Sequence, residues 1–241
     1  MKIKRSVVFI IIIFISYLYG MVTIQYQFFP YQLVKSLSIQ LPNENKVRTS
    51  YYYHKKSFFE ETNTTNVDIA FVGDSLTDFI DWQEFFPDIS IVNRGIGGDT
   101  TGGVLERMDS ILSTNAKCVF IMLGINDISK KSPVENIYSN YKKIIDVLSS
   151  HNMTVFIQST LYVGKSKGYL NETVKILNNK LHILSYEDPL VHYIDLNHIL
   201  SPEGYLNTTY SEDGLHLNGM GYLLWKSVIN EYICLPVSHS I

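Results

Sequence analysis

Short apolar runs of strand length alternate with helical patterns of apolar residues from residue 67 onward. The runs are rich in Val, Ile and Phe and lie at residues 67–72, 89–93, 118–123, 154–158 and 191–196. Near-continuous apolar runs of about four to eight residues are typical of central strands in a parallel sheet. Helical segments between them supply the crossover connections that parallel strands need. We therefore expect a parallel sheet covered by helices on both faces.

Four segments show the helical spacing. They are residues 104–112, a segment after Ser132, residues 171–184 and a segment after Asn218. The helix after Ser132 has the clearest start, because Glu135 follows Ser132 by three residues and Pro133 lies between them. This pattern predicts a capping box with Ser132 as the N-cap and Pro133 as the first helical residue.

The N-terminal residues form a separate pattern. Lys2, Lys4 and Arg5 precede an uncharged apolar run at residues 7–24, which as a helix would reach about 27 Å, close to one hydrocarbon core. We interpret residues 1–25 as an uncleaved transmembrane signal anchor, with a cleaved signal peptide or a buried core helix as alternatives. The catalytic part would then lie in the cell envelope outside the cytoplasm, or be secreted after cleavage.

The remaining chain divides into a lead-in and one domain. Residues 26–66 are expected to form a stalk, part of which packs on the domain or lies at the membrane interface. Residues 67–241 are expected to form the domain, since 241 residues with 46% hydrophobic and 18% charged side chains favour one sizeable core.

Charge and cysteine content exclude several classes of protein. From residue 30 onward the chain carries 17 basic and 23 acidic side chains, a net charge of −6, whereas a nucleic-acid binder needs a basic stripe to neutralise phosphates. Two cysteines are too few for a disulfide framework or a four-cysteine zinc module. The metalloprotease motif H-E-x-x-H does not occur.

Polar loops follow the predicted strands, and in open parallel sheets ligands bind outside the carboxyl ends of the strands. Four such segments would converge on one edge of the sheet: Gly73-Asp74-Ser75-Leu76, Asn93-Arg94-Gly95-Ile96-Gly97-Gly98-Asp99-Thr100, Gly124-Ile125-Asn126-Asp127 and, before the last helix, Asp213-Gly214-Leu215-His216.

Taken singly, each segment has an ordinary structural interpretation. Ser75 could be a plain helix N-cap, and Asp213 and His216 could be a surface pair. Gly98 could belong to a plain turn, and Asn126 could cap its loop. Together they supply a nucleophile, a base with its orienting carboxylate and two oxyanion donors at successive strand ends, which is the set that acyl transfer needs.

The four segments resemble conserved blocks of the GDSL, or SGNH, hydrolase family and occur in that family's order. The chain is most similar to small bacterial acylhydrolases that resemble the catalytic subunits of platelet-activating-factor acetylhydrolase. One departure is Ile125, where the family often has Thr. The resemblance implies a three-layer, flavodoxin-like α/β/α sandwich with about five mostly parallel strands.

The resemblance also implies the roles of the residues. Ser75 is the nucleophile and, through its N–H, an oxyanion donor; Gly98 and Asn126 complete the oxyanion hole; His216 is the base and Asp213 orients it. No metal or organic cofactor is implied. The expected activity is hydrolysis of small-molecule, glycan or lipid esters with short acyl chains. An O-acyltransferase acting on an envelope glycan and an inactive membrane-tethered binding module are the alternatives.

Overall fold

The computed structural model describes residues 5–26, 48–62 and 64–233. The chain divides into two compact units, Met1–Arg48 and Thr49–Ile241. The first contains the helix Arg5–Tyr26. Within the described residues, no helix combines the length and the apolarity that crossing a membrane requires. The predicted transmembrane anchor is therefore not supported, and the location outside the cytoplasm stays a prediction.

The second unit is built on five strands: β1 (Ile69–Gly73), β2 (Ile91–Gly95), β3 (Cys118–Met122), β4 (Thr154–Gln158) and β5 (Val191–Ile194). All pairings are parallel, in the order β2-β1-β3-β4-β5. The strand order reverses at β1, because the chain first goes to β2 on one side and then to β3 on the other. The carboxyl ends of β1 and β3 therefore flank the crevice in which such sheets bind ligands.

Helices cover both faces of this sheet, which confirms the predicted three-layer α/β/α fold. Within the second unit the structure places helices at Ser50–Glu61, Ser75–Asp78, Trp82–Phe85, Thr101–Leu105, Met108–Leu112, Ile125–Ser129, Val134–Ser150, Asn171–Leu184, Asn197–Leu200 and Gly219–Ile233, with a 3₁₀ helix at Lys165–Leu170.

The two faces carry different cores. On one face, the apolar stripes of Val134–Ser150 and Asn171–Leu184 pack on aliphatic strand residues such as Ile121 and Ile157. On the other face, Phe71, Phe120 and Phe156 stack across three neighbouring strands with ring centroids 5.1 and 4.6 Å apart. This aromatic row is covered by the helices that carry Trp82 and Trp225, so the strands are buried on both sides and the sheet is a rigid base for the loops at its edge.

Three details of the secondary structure differ from the sequence prediction. The capping box is wrong: Pro133 has an extended backbone (ψ 139°) and is itself the N-cap, so Ser132 lies one residue too early to cap, and no side chain caps this helix. The helix predicted over residues 104–112 is two helices, since Arg107 leaves the helical conformation (φ −132°, ψ 23°). Strand β2 lies two residues later than predicted, because Arg94 and Gly95 continue the ladder with β1.

The helix Ser50–Glu61 lies within the segment expected to be a stalk or lead-in, and it belongs to the second unit. Its Tyr52 and Phe59 are buried in a cluster with Ile96, the residue that follows β2. Tyr52 Oη also donates to the carbonyl of Gly103 at 2.8 Å. Of the predicted stalk, residues 27–47 and residue 63 lie outside the described residues.

Candidate active site

The turn after β1 exposes Ser75 at the sheet edge. Asp74 is the N-cap of the helix Ser75–Asp78, and its Oδ1 accepts from the N–H of Leu76 at 3.1 Å. The N-cap interpretation of Ser75 is therefore wrong, because the neighbouring aspartate fills that role and leaves the Ser75 hydroxyl available. Gly95 lets this helix lie close to β2, since a Cβ there would be 2.5 Å from the backbone nitrogen of Asp78.

Ser75, His216 and Asp213 form a hydrogen-bonded chain although 141 residues separate the first two. Ser75 Oγ lies 3.0 Å from His216 Nε2, and His216 Nδ1 lies 2.7 Å from Asp213 Oδ2. A carboxylate only accepts hydrogen bonds, so the proton belongs on Nδ1 and the lone pair of Nε2 faces the serine hydroxyl. This arrangement can transfer a proton from the serine to the imidazole.

The loop that carries the imidazole also holds Asp213 ionised. Burial would raise the pKa of Asp213, but hydrogen bonds from the backbone N–H and ring of His216 and from the N–H of Leu215 outweigh it and hold the pKa well below its ordinary value. The two backbone bonds measure 2.8 and 2.9 Å. An ionised carboxylate at this position orients the imidazole and stabilises the imidazolium that forms when the serine loses its proton.

The turn after β2 is shaped for backbone donation. The N–H of Asp99 donates to the carbonyl of Ile96 at 3.0 Å, and Gly98 has φ +76°. A positive φ at the third residue is the signature of a type II turn and favours glycine there. A Cβ on Gly98 would meet no atom within 4 Å, so this predicted oxyanion donor borders open space.

Asn126, the other predicted oxyanion donor, lies between two of the loops. Its Nδ2 donates to Asp74 Oδ2 at 3.1 Å and to the carbonyl of Asp99 at 2.9 Å. These acceptors fix the orientation of the amide and link the Ser75 turn to the Gly98 turn. An oxyanion would compete with them for the same N–H groups, so donation from Asn126 to substrate stays a prediction.

A buried polar network behind these loops was missed by the sequence reasoning. Asp74 is fully buried, and burial together with the charges of Asp99 and Asp127 raises its pKa to about 7 against an opposing hydrogen bond from Leu76. The Oδ2 atom of Asp99 accepts from Arg107 Nε at 2.9 Å, and both side chains are inaccessible to solvent. No motif marks Arg107, whose position within an apolar helical pattern was the only available signal.

The described residues contain no group of three or more His, Cys, Asp or Glu side chains that could hold a metal ion.

The fold and this site define the class of protein. Residues 71–224, well over half of the chain, match the model of the GDSL-like Lipase/Acylhydrolase family. The chain belongs to that family, as the four sequence blocks indicated.

Related proteins cover different shares of the chain. An N-acylneuraminate cytidylyltransferase of Streptococcus agalactiae is 28% identical over 145 residues, 60% of this chain and 33% of its own length. The chain thus spans about a third of the length of that curated relative. The alpha1 subunit of rat platelet-activating factor acetylhydrolase IB is 25% identical over 174 residues, 68% of this chain and 74% of the subunit.

Solved structures share the fold over nearly their whole length. A candidate platelet activating factor from Streptococcus pneumoniae has a TM-score of 0.71 at 25% identity and covers 84% of this chain and 97% of its own. A GDSL-like lipase from Bacteroides thetaiotaomicron has a TM-score of 0.66 at 18% identity, with 76% and 96% covered.

Proposed function

We propose that this protein is a serine esterase that hydrolyses short-chain carboxylic esters, acetyl esters first among them, through an acyl-enzyme intermediate. The observation that carries the proposal is the chain Ser75–His216–Asp213, with 3.0 and 2.7 Å between its polar atoms. The preference for a short acyl group is motivated by the acetylhydrolase that matches 68% of the chain.

In the first step, His216 Nε2 accepts the proton of Ser75 Oγ as this oxygen bonds to the acyl carbon. The carbonyl oxygen becomes an oxyanion, which the N–H groups of Ser75 and Gly98 and the amide of Asn126 would stabilise. The tetrahedral intermediate expels the alcohol, which takes the proton from the imidazolium. In the second step, a water gives a proton to His216 as its oxygen bonds to the acyl carbon. The bond between this carbon and Ser75 Oγ then breaks, Ser75 Oγ takes the proton back from the imidazolium, and the carboxylic acid leaves.

An exposed aromatic ring offers the substrate an apolar surface beside this site. Phe79 is 61% exposed, and its ring centroid lies 5.2 Å from that of His216. Its position beside the proposed base would place the ring against part of an ester bound at Ser75, and aromatic side chains commonly line ligand sites. We assign Phe79 to contact with the acyl or alcohol part of the ester.

The test is a substrate screen with the full chain. p-Nitrophenyl acetate, butyrate and decanoate and O-acetylated sugars are compared, with the Ser75→Ala variant as the control. The proposal predicts Ser75-dependent hydrolysis that is fastest for the short acyl chains. Fastest hydrolysis of the decanoate ester would contradict the preference for short acyl chains. Consumption of the acyl ester only when a glycan acceptor is present would show an acyltransferase. The absence of turnover for every ester would contradict the esterase assignment.

A further inference from the structure

The Asp78 carboxylate joins three elements around the candidate site. It lies at the end of the helix that begins with Ser75, and its side chain is only 2% exposed. Its Oδ2 accepts from the N–H of Gly97 at 2.8 Å and from Tyr51 Oη at 2.7 Å. Its Oδ1 lies 2.8 Å from Lys55 Nζ. One buried carboxylate thus connects the helix Ser75–Asp78, the turn formed by Ile96, Gly97, Gly98 and Asp99 (hereafter the glycine turn) and the helix Ser50–Glu61.

The glycine turn is the element that most needs such support. Gly97 and Gly98 are adjacent residues without side chains, so the backbone there has more conformational freedom than at other residues. The peptide that joins them carries the Gly98 N–H, the predicted oxyanion donor. A donor stabilises an oxyanion only when it is already held in the required direction, because reorientation during the reaction would offset the gain.

The helix Ser50–Glu61 holds the same turn by apolar contacts. Ile96, the first residue of the turn, is fully buried against Tyr52 and Phe59 of this helix. A Cβ on Gly97 would lie 3.5 Å from the Tyr51 ring and 3.7 Å from the Phe79 ring. The turn is therefore held by polar contacts through Asp78 and by apolar contacts through Ile96.

We propose that Asp78 and the helix Ser50–Glu61 position the glycine turn for oxyanion stabilisation, with Asp78 as the positioning residue and Tyr51 as the donor that fixes its carboxylate. This inference rests on the proposed esterase activity. The helix lies upstream of residues 71–224, which match the family model, so the catalytic unit of this chain extends beyond the matched region. Burial and the hydrogen bond to Asp78 raise the pKa of Tyr51 to about 12, so the phenol keeps its proton and donates at neutral pH.

The variants separate positioning from general stability. Asp78→Ala removes every acceptor, whereas Asp78→Asn keeps an amide oxygen that can accept from the N–H of Gly97. Tyr51→Phe removes one donor and keeps the ring. Tyr53→Phe is the matched control, because it removes the same hydroxyl group from the same helix. Tyr53 is 56% exposed.

The experiment measures kcat and KM for p-nitrophenyl acetate and the melting temperature of each full-length variant. We expect Asp78→Ala to lower kcat about 10- to 100-fold, below the roughly 10²- to 10³-fold loss of a whole oxyanion donor, with KM within about twofold. Asp78→Asn should recover most of that loss. Tyr51→Phe should lower kcat about three- to tenfold at an unchanged melting temperature, and Tyr53→Phe should match the wild type.

Two outcomes would overturn the inference while leaving the esterase assignment intact. One is an active wild-type enzyme together with a Tyr51→Phe variant that has the same kcat. This result would be decisive even if Asp78→Ala does not fold. The other is a loss of kcat in the Asp78 variants that follows the melting temperature and is equal for Ala and Asn. Failure of the proposed function appears differently, as a wild-type chain without Ser75-dependent hydrolysis.

Discussion

Asp74→Asn tests whether the site contains a buried carboxyl that ionises near neutral pH. Burial and two neighbouring carboxylates raise the pKa of Asp74 from 3.8 to about 7. A carboxyl whose pKa is raised on folding stabilises the folded state while it is protonated, and this contribution is lost as the pH rises through the folded pKa. The wild type should therefore lose stability, relative to a variant without this titration, as the pH rises from 5 to 9.

The magnitude follows from the two pKa values. With 3.8 in the unfolded chain and about 7 in the folded protein, the difference in Asp74 pKa lowers the free energy of unfolding, relative to acid pH, by roughly 2 kcal/mol at pH 5 and roughly 4 kcal/mol at pH 9. Asp74→Asn keeps an oxygen that can accept from the N–H of Leu76. Its loss of the hydrogen bond from Asn126 changes the free energy of unfolding by the same amount at every pH. The difference in unfolding free energy between Asp74→Asn and wild type should thus grow by about 2–3 kcal/mol in favour of the variant.

The assay is urea denaturation of both proteins at pH 5, 7 and 9. Asp68→Asn is the control, because a hydrogen bond from Lys117 lowers the pKa of Asp68. That carboxyl is therefore ionised in both states over this range, and its difference from wild type should not change with pH. A pH-independent difference for Asp74→Asn as well would refute the reasoning, since it would mean that Asp74 ionises alike in the folded and unfolded chain.

Three further variants test other parts of the site. Phe79→Ala should raise KM for p-nitrophenyl butyrate about tenfold with little change in kcat, because the exposed ring offers apolar surface to the ester. Arg107→Met should lower the free energy of unfolding by about 3–5 kcal/mol in urea, because it removes the cation that neutralises the buried Asp99 carboxylate. Asp213→Asn should lower kcat by about 10³- to 10⁴-fold, because His216 loses its orienting charge and the correct tautomer.

Each of these has an outcome that contradicts it. A normal KM in Phe79→Ala would exclude contact with substrate. Lys142→Met breaks two exposed ion pairs, with Asp146 and Glu187, and should change stability by only about 0–1 kcal/mol. An equal effect of Arg107→Met would show that burial does not strengthen its pair with Asp99. Near wild-type kcat in Asp213→Asn would remove the carboxylate from the mechanism.

The fold followed from local patterns. The apolar runs predicted all five strands and the sandwich because central parallel strands are buried on both faces and need no alternation of polar residues. Strand β2 was displaced because it ends in Asn93, Arg94 and Gly95, two polar residues and a glycine that resemble a loop. Asn93 Nδ2 donates to the carbonyls of Thr77 and Ile80, a tertiary compensation that one segment cannot reveal.

The candidate site was predictable where chemistry lies in contiguous motifs and hidden where it depends on distant contacts. Ser75 lies in a short block at the end of β1, Asp213 and His216 lie in a short block before the last helix, and the topology brings the two blocks together. The roles of Asp78 and Tyr51 depend on a contact across 27 residues, which no local pattern records. Asp99 and Arg107 are only eight residues apart, but their pairing depends on how the chain turns between them, which no motif records.

The central claim, that Ser75 is the nucleophile of an esterase, is tested most directly by covalent labelling. A fluorophosphonate probe phosphonylates an activated serine, and the modified residue is located by mass spectrometry of the digested full-length chain. The esterase assignment predicts a single adduct on Ser75 in the wild type, no adduct in Ser75→Ala, and a loss of p-nitrophenyl acetate hydrolysis of about 10⁴-fold or more in that variant. Labelling of Ser75→Ala at the wild-type rate, or hydrolysis that survives the substitution, would contradict it.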